Sequence, residues 1–235
     1  YVNSYKDLPA YPYDFKEIFR NETRSKSGIL RGREFYWKAL YSFSKNDIEH
    51  LAFYDKMTEA YKNIFNRVGI GDKTYITFAS GGTFSKFSHE FQTLCEAGED
   101  LIYMSQEDFG KGLQMEKGRA AINKEIWTED LKKELGIKDF VEKKAIEVGN
   151  IFTLGTKFSE PFDLKFKNEN GEDTLVFMGS YGIGLGRLMG TVVEVLSDEK
   201  GIVWPEAIAP FQIHLVSLAK TDEEKKQVET IYQKL

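Results

Sequence analysis

The chain contains segments with two different spacings of hydrophobic positions. Two runs rich in aromatic and β-branched residues, Lys16–Thr23 and Arg33–Ser44, predict the strands of an antiparallel hairpin. In the next segment apolar residues recur three or four positions apart, which predicts an amphipathic helix that ends near Gly69. We expect a capping box over Ser44–Asp47 at the start of this helix. The predicted packing face of the helix consists of Ile48, Leu51, Tyr54, Met57, Tyr61, Ile64, Phe65 and Val68.

Strand-like segments dominate the middle of the chain, and helices are few. The pair Asn170-Gly171 is a turn signal that predicts a hairpin. One short helix is predicted over Asp130–Leu135, and another follows a glycine cluster and places Leu188 and Val192 on one face with Val195 and Leu196. Extended segments are predicted at Lys73–Ala79, Glu99–Met104, Ile146–Phe158, Asp163–Phe166 and Thr174–Met178. Many strands with separate helices indicate an α+β fold.

The C-terminal part of the chain has the pattern of a second unit. An apolar strand is predicted after Pro210, and Thr221 with Glu224 forms a capping box for a final helix that reaches Leu235. One strand and one helix cannot bury a core. We therefore expect residues 206–235 to be the truncated start of a second domain that follows a main domain over residues 1–205. The first residue is Tyr1, so we also expect the chain to be trimmed at its start.

Composition narrows the classes of function. At 235 residues the chain can bury a sizeable core, and its 41% hydrophobic and 29% charged residues are ordinary for a globular protein. No apolar run approaches the roughly 20 residues that span a bilayer. The net charge of −5 argues against a general polyanion binder but permits a locally basic groove. A single cysteine, Cys95, fits a reducing compartment, so we expect a cytoplasmic protein without a membrane segment.

Charged residues in the first hairpin suggest a nucleotide site. Arg20, Glu22 and Arg24 alternate with other residues and so share one side of the predicted strand. A solvated sheet face is the simpler interpretation of these charges alone. The second strand adds Arg31 and Phe35. Guanidinium groups match phosphate oxygens, a carboxylate accepts from the adenine amino group, and an aromatic ring stacks on a base.

The glycine cluster "GIGLGR" also allows two interpretations. Its spacing superficially matches a dinucleotide-binding fingerprint, but Arg187 occupies the place of the last glycine and no βαβ unit with a ribose-binding acid follows. The alternative is that small residues let a helix pack closely on the sheet while Arg187 projects over a base or phosphate.

Several motifs together resemble one enzyme family. "FRNETR" followed by "RGREF" resembles motif 2 of class II aminoacyl-tRNA synthetases, and "GSYGIGLGR" resembles motif 3. From about Val2 to Val216 the chain is similar to prolyl-tRNA synthetases of the bacterial kind, in "SYKDLP", "REFYWKALYSF", "SHEFQ", "VGNIFTLGTKFS" and "GIVWPEAIAPFQI". The resemblance implies an antiparallel sheet of six or seven strands flanked by helices, followed by the start of an α/β anticodon-binding domain.

The resemblance also implies an activity. It predicts an aminoacyl-tRNA ligase that activates proline with ATP and Mg²⁺ and transfers it to tRNA(Pro), as a homodimer at full length. The alternatives are a catalytically inactive synthetase-like protein with an RNA-binding or regulatory role, and a class II synthetase for another amino acid. Motif 1 and the Thr-x-Glu loop of the family are missing, and residues 106–144 are too few for the family's editing domain. We expect this fragment alone to be inactive.

Carried over by position, the resemblance assigns roles to the charged residues. Arg20 contacts the α-phosphate and the amino-acid carboxylate, and Glu22 binds the adenine amino group. Arg31 reaches the γ-phosphate, Phe35 stacks on the base, and Arg187 covers the other face of the base. Arg20 and Arg187 are the predicted catalytic residues, and no metal ligand is assigned.

The resemblance places the proline pocket in other segments. It implies that His89, Gly155, Thr156, Ser159 and Gly182 form this pocket. The simpler alternatives are a histidine hydrogen-bonded beside a strand and a turn over the "GTKFS" segment. The chain also departs from many bacterial relatives, with Trp-Lys-Ala in place of Met-Lys-Asp after "REF" and Gly-Asn in place of Gly-His before "IF".

Overall fold

The computed structural model describes residues 2–80, 87–115, 121–134 and 139–235. The chain divides into two units, Tyr1–Val203 and Trp204–Leu235, which are described separately. The strands are β1 (Tyr13–Phe19), β2 (Glu34–Ser44), β3 (Thr74–Ser80), β4 (Phe87–Leu94), β5 (Asp100–Ser105), β6 (Ala121–Asn123), β7 (Phe140–Gly155), β8 (Lys165–Lys167), β9 (Asp173–Leu175) and β10 (Phe177–Gly184). The helices are α1 (Asp47–Arg67), α2 (Glu129–Glu134), α3 (Leu185–Leu196) and α4 (Asp222–Tyr232).

The main sheet of the first unit has eight strands within the described residues, in the order β1-β2-β10-β7-β4-β3-β6-β5. Neighbouring strands are antiparallel except for the parallel pair β3 and β6. The expected six or seven strands were therefore too few. β4 was missed in the sequence because Glu90 and Gln92 interrupt its hydrophobic pattern, and both lie on the face of the strand that makes polar contacts.

The sheet folds back on itself at one end. β7 is 16 residues long and pairs with β10 and β4 toward its C-terminal end. Its N-terminal end pairs with β5, from Asp100 opposite Ala145 to Ser105 opposite Phe140. The core enclosed there consists of Tyr75, Ile102, Met104, Ala121 and Ala145. The rest of the sheet stays open.

The first hairpin pairs as predicted, but its first strand is shorter. β1 ends at Phe19, so the prediction that Arg20, Glu22 and Arg24 share one strand face is wrong. The Arg20 amide still donates to the Arg33 carbonyl at 2.8 Å, and the Glu22 amide then donates to the Arg20 carbonyl at 2.8 Å. This local turn takes the chain out of the ladder and into the loop between β1 and β2.

The predicted amphipathic helix is confirmed as α1, with a different cap and a rotated packing face. The N-cap is Asn46, whose side chain accepts from the Glu49 amide, and not Ser44. Ile48 and Leu51, predicted on the packing face, are 75% and 55% exposed. The first turn of α1 packs on the sheet through the buried His50 instead. A hydrophobic pattern cannot identify a polar residue that is buried.

Helix α1 covers one face of the main sheet. His50 Nε2 lies 3.0 Å from Thr153 Oγ1 on β7, and Tyr61 and Phe65 are fully buried. Both of these rings pack on Phe91 of β4, with centroid distances of 5.1 and 5.2 Å. Aromatic contacts of this kind bury large apolar surfaces, so α1 is anchored to the middle of the sheet.

Several other local predictions hold. β8 and β9 form the predicted hairpin, and Gly171 in its turn has a φ of +81°, a conformation that favours glycine. α2 and α3 form where helices were predicted, although Leu135 at the predicted end of α2 lies outside the described residues. Among the described residues no helix is both long and apolar enough to cross a membrane.

The second unit contains the predicted C-terminal helix. Thr221 and Glu224 form the predicted capping box of α4, which ends at Tyr232 and not at Leu235. The predicted apolar strand after Pro210 is wrong, since residues 210–220 form no strand. A strand needs a partner to satisfy its backbone groups, and an apolar run does not supply one. That this unit begins an anticodon-binding domain stays a prediction.

Candidate functional site

A cavity of about 750 Å³ lies on the sheet face opposite α1. Tyr41 and Phe152 line the cavity, whereas their strand neighbours Ser42 and Thr153 contact His50 of α1. Because successive side chains of a strand point to opposite faces, the sheet itself separates the cavity from the helix. The polar part of the cavity is lined by Arg20, Glu22, Arg31, Trp37, Phe35, Glu147, Asn150 and Arg187.

The structure brings together all the residues that were predicted to bind ATP. Arg20, Glu22 and Arg31 reach the cavity from the loop between β1 and β2, Phe35 from β2, and Arg187 from the first turn of α3. β10, which leads into α3, pairs directly with β2, so the two motifs meet through strand pairing. In particular, Phe35 and Arg187 line the same cavity. Their roles toward a nucleotide stay predictions.

Arg20 lies over the aromatic floor of the cavity. Its guanidinium carbon is 5.2 Å from the ring centroid of Phe35 and 5.7 Å from that of Trp37. The two rings are themselves in edge contact at 6.1 Å. Cation–π contacts hold a guanidinium without neutralising it, so Arg20 keeps its charge available for an anion.

Arg31 and Glu22 contact each other across the loop. Arg31 Nη1 donates to Glu22 Oε2 at 3.1 Å, and Arg31 Nε donates to Glu99 Oε2 at 2.7 Å. The Arg24 amide donates to the Glu22 carboxylate and, together with Arg31, keeps the pKa of Glu22 below its ordinary value. Burial acts to lower the pKa of Arg31, but Glu99 and Glu22 outweigh it and the pKa is raised.

Arg187 is held in place by two other segments. Its Nε donates to the Leu30 carbonyl at 2.9 Å, and its Nη1 donates to the backbone carbonyl and the carboxylate of Glu147 at 3.2 and 3.1 Å. The other oxygen of Glu147 accepts from Asn150 Nδ2 at 2.9 Å. Glu147 was not predicted as a site residue. Its one signal in the sequence is a carboxylate between the apolar residues Ile146 and Val148, three residues before Asn150.

Gly182 does not line the cavity but makes room for a residue that does. A Cβ atom at position 182 would lie 2.1 Å from Cζ2 of Trp37 and 3.0 Å from Oδ1 of Asn150. The indole of Trp37 therefore lies against the backbone of β10, where any side chain would displace it. Gly182 was predicted to bind proline, and the geometry supports an indirect effect through Trp37.

The structure does not bring His89 into the cavity. His89 Nδ1 lies 2.6 Å from the Tyr54 hydroxyl of α1, and its ring packs on Phe78 at 4.8 Å. Burial lowers its pKa. The reason is strand alternation, because Glu90 faces the cavity side and His89 must then face the helix. The geometry thus matches the simpler alternative, a histidine hydrogen-bonded within the fold.

The "GTKFS" segment forms a turn at the far end of the cavity. Gly155 has a φ of +60°, the Thr156 hydroxyl donates to Glu160 at 2.9 Å, and the buried Ser159 hydroxyl donates to the Val176 carbonyl. These three residues hold the turn together and do not themselves line the cavity. Leu154 and Phe158, next to Gly155 and Ser159 in the chain, do line it. They belong to the apolar part of the cavity, which is lined by Tyr41, Phe43, Phe152, Leu154, Phe158, Phe162, Leu164 and Met178.

A polar recess of about 220 Å³ adjoins the cavity at Arg31, Glu147 and Arg187. Glu90 lies in this recess and accepts from Gln92 Nε2 at 2.8 Å. Burial, with a further contribution from Glu147, raises the pKa of Glu90 to about 8. Within the described ranges no group of three or more His, Cys, Asp or Glu side chains is arranged to hold a metal ion.

Comparisons with known proteins point to one family. Residues 1–196 match the model of the tRNA synthetase class II core domain (G, H, P, S and T). A proline–tRNA ligase of Anaplasma marginale (strain St. Maries) is 37% identical over 245 residues, which cover 98% of this chain and 56% of the relative. A proline–tRNA ligase of Rickettsia bellii (strain OSU 85-389) is 36% identical and covers 100% of this chain and 55% of the relative.

A solved structure is also similar. The prolyl-tRNA synthetase of Cryptosporidium parvum, crystallised with L-proline and AMP, matches with a TM-score of 0.68 and 20% sequence identity. The match covers 99% of this chain and 40% of that one. The chain thus spans about half the length of the curated relatives it matches.

Proposed function

Because the chain belongs to the family of class II tRNA synthetase core domains, we propose that it is the catalytic core of a proline–tRNA ligase. The match to the family model confirms the family that the motifs predicted, and the similar solved structure confirms the predicted α+β synthetase fold. The proposed activity is ATP-dependent formation of prolyl-adenylate followed by transfer of proline to tRNA(Pro). The observation that carries the proposal is that Arg20, Glu22, Arg31, Phe35 and Arg187 line a single cavity.

ATP binding is proposed in the polar part of the cavity. The adenine base would stack on Phe35 with its amino group toward Glu22, and Arg187 would contribute its guanidinium to the opposite side. Arg31 would take the terminal phosphate, since a guanidinium matches phosphate oxygens in a paired geometry. Arg187 suits its proposed place on the face of the base opposite Phe35, because Leu30 and Glu147 already fix the orientation of its guanidinium.

Proline activation requires placement and charge stabilisation, and no covalent nucleophile. The carboxylate of proline attacks the α-phosphorus of ATP, and pyrophosphate leaves on the opposite side. Arg20 would hold the carboxylate beside the α-phosphate and stabilise the negative charge that develops between them. Removing one such donor costs roughly 10²- to 10³-fold in rate. The position of Arg20 over Phe35 and Trp37 keeps its charge inside the cavity.

The proline side chain is proposed to bind between the polar and apolar parts of the cavity. Trp37 supplies a flat apolar floor there, and Asn150 supplies an amide that Glu147 orients. Phe152 and the apolar side chains beyond it exclude water from a pyrrolidine ring. This assignment replaces the predicted contact with His89, which lies on the other sheet face.

Magnesium is proposed to arrive with the phosphates of ATP. Mg²⁺ prefers oxygen ligands and is commonly held by one or two carboxylates together with phosphate oxygens. Glu147 shares the polar recess with Arg31, the proposed phosphate ligand. Its oxygens accept from Arg187 and Asn150, but a carboxylate has further lone pairs with which it would hold the ion. Bound there, the ion would offset the charge of the phosphates. Homodimer formation and a cytoplasmic location follow from the family resemblance and stay predictions.

Amino-acid-dependent ATP–pyrophosphate exchange tests the proposal. The protein at its full natural length should exchange pyrophosphate with proline and with none of the other amino acids at comparable efficiency. Exchange with a different amino acid would support another class II specificity, and no exchange would support an inactive synthetase-like protein. Arg20→Ala should lower exchange by roughly 10²-fold or more. Arg24→Ala is the matched control, because Arg24 is in the same loop but does not line the cavity.

A further inference from the structure

The connection between β4 and β5 contributes a carboxylate, Glu99, to the loop that carries Arg31. We propose that Glu99 is a positioning residue that aims the guanidinium of Arg31 at the phosphates of ATP. The inference rests on the proposed function. Glu99 lies in the polar recess beside the cavity and not in the cavity itself, whereas Arg31 borders both. Glu99 is therefore placed to act on a nucleotide in the cavity through Arg31.

Both oxygens of Glu99 are used by the loop. Oε2 accepts from Arg31 Nε at 2.7 Å, and Oε1 lies 3.4 Å from Lys26 Nζ. Lys26 and Arg31 face each other at the base of the loop tip, where the Lys26 amide donates to the Arg31 carbonyl at 3.2 Å. The carboxylate of Glu99 thus links both sides of the loop tip to the connection between β4 and β5, which is 68 residues from Arg31 along the chain.

Glu99 binds Arg31 through Nε and so does not itself occupy the terminal nitrogens Nη1 and Nη2. A guanidinium has five N–H donors in a fixed plane. Nε donates to Glu99 and Nη1 to Glu22, and within the part of the chain that the structure describes Nη2 donates no hydrogen bond. Because the group is planar, fixing Nε also fixes the direction of the terminal nitrogens. A phosphate can then bind without displacing Glu99.

Glu99 also resolves a conflict between two proposed ATP contacts. Glu22 and Arg31 are assigned to opposite ends of ATP, yet they bond to each other at 3.1 Å. When Glu22 turns to the adenine amino group, Arg31 loses one partner. Glu99 remains as the partner that keeps Arg31 in place. These side chains are 23–35% exposed, so their interactions are less screened than those of a surface ion pair.

Equilibrium binding of the non-hydrolysable analogue AMPPNP to the full-length protein tests the inference. Glu99→Ala should weaken binding roughly tenfold, as expected for losing a hydrogen bond between charged groups. Glu99→Gln keeps an acceptor for Nε but loses the charge, so it should restore part of the affinity. Glu96→Ala is the matched control, because Glu96 is in the same connection with its side chain 93% exposed. Thermal unfolding of each variant verifies that it is folded.

A double-mutant cycle separates positioning from direct contact. If Glu99 acts through Arg31, Glu99→Ala should have no further effect on AMPPNP affinity in an Arg31→Ala background. Unchanged or tighter binding by Glu99→Ala alone would overturn the inference, and so would additive losses in the double variant. Failure of the wild-type protein to bind AMPPNP would instead overturn the proposed function and this inference together.

Discussion

The indole of Trp37 lies directly against the backbone of Gly182, on the strand next to its own. A Cβ atom at position 182 would come within 2.1 Å of the indole. Trp37 is in turn part of the cavity floor and lies under the guanidinium of Arg20. The absence of one side chain on β10 therefore sets the position of an aromatic ring on β2 and, through it, of a proposed catalytic arginine.

Gly182→Ala should displace Trp37 and weaken ligand binding. Overpacking of this kind typically costs about 1–3 kcal/mol of stability, and the shifted indole should raise the Kd for AMPPNP. Chemical denaturation and equilibrium binding measure the two effects. Gly184→Ala is the stability control, because a Cβ there would make an ordinary contact of 3.6 Å with Trp37. Equal stability of the two variants would contradict the prediction.

Arg187→Ala should lower the kcat/KM of proline-dependent exchange by roughly 10²-fold or more. The change removes a positive charge from the cavity. It also removes the hydrogen bonds that Arg187 donates to Leu30 and Glu147. Arg187→Lys should rescue little, because an ammonium cannot reproduce the planar arrangement of donors. Arg67→Ala, at the exposed end of α1, is the control. Full activity of Arg187→Lys would show that charge alone is sufficient.

Stability should depend on pH through Glu90. Its pKa is about 8 in the folded protein and 4.5 ordinarily, so the folded state holds a proton that the unfolded state releases between these values. The stabilisation is fully present below pH 4.5 and is lost as the pH rises toward about 8. Glu90→Gln does not ionise, so its stability relative to wild type should grow by at most about 1.4 kcal/mol per pH unit in this window.

Unfolding free energies of wild type and Glu90→Gln across this pH range measure the effect. Glu96→Gln, at an exposed position, serves as the control. A stability difference between wild type and Glu90→Gln that is constant from low to high pH would show that Glu90 ionises alike in both states.

Phe91→Ala should destabilise the contact between α1 and the sheet. Phe91 is fully buried and packs on Tyr61 and Phe65, and truncating a buried phenylalanine costs about 3–5 kcal/mol. Ile48→Ala, on α1 but 75% exposed, should change stability by less than about 0.5 kcal/mol. Denaturant unfolding measures both. Equal costs would mean that the exposed face of α1 contributes as much as its buried face.

The sequence predicted an element well where residues close together in the chain determine its conformation. The period of α1, the Asn-Gly turn between β8 and β9, and the capping box of α4 each depend on residues within a few positions. The same approach failed where tertiary contacts decide the outcome. β4 has a polar face because it borders a polar recess, and the apolar run after Pro210 forms no strand.

The sequence by itself determined the family, the residues proposed to bind ATP and most of the elements that carry them, because motif residues and periodicity are written along the chain. Only the tertiary structure decided which face of the sheet each strand residue occupies. His89 was predicted in the site, but it faces α1, and its neighbour Glu90 faces the cavity side instead. The tertiary structure also decided the contacts of Arg187 with Leu30, 157 positions away, and of Arg31 with Glu99. Such contacts depend on strand order and on the alternation of side chains across a sheet, and neither can be derived from local spacing.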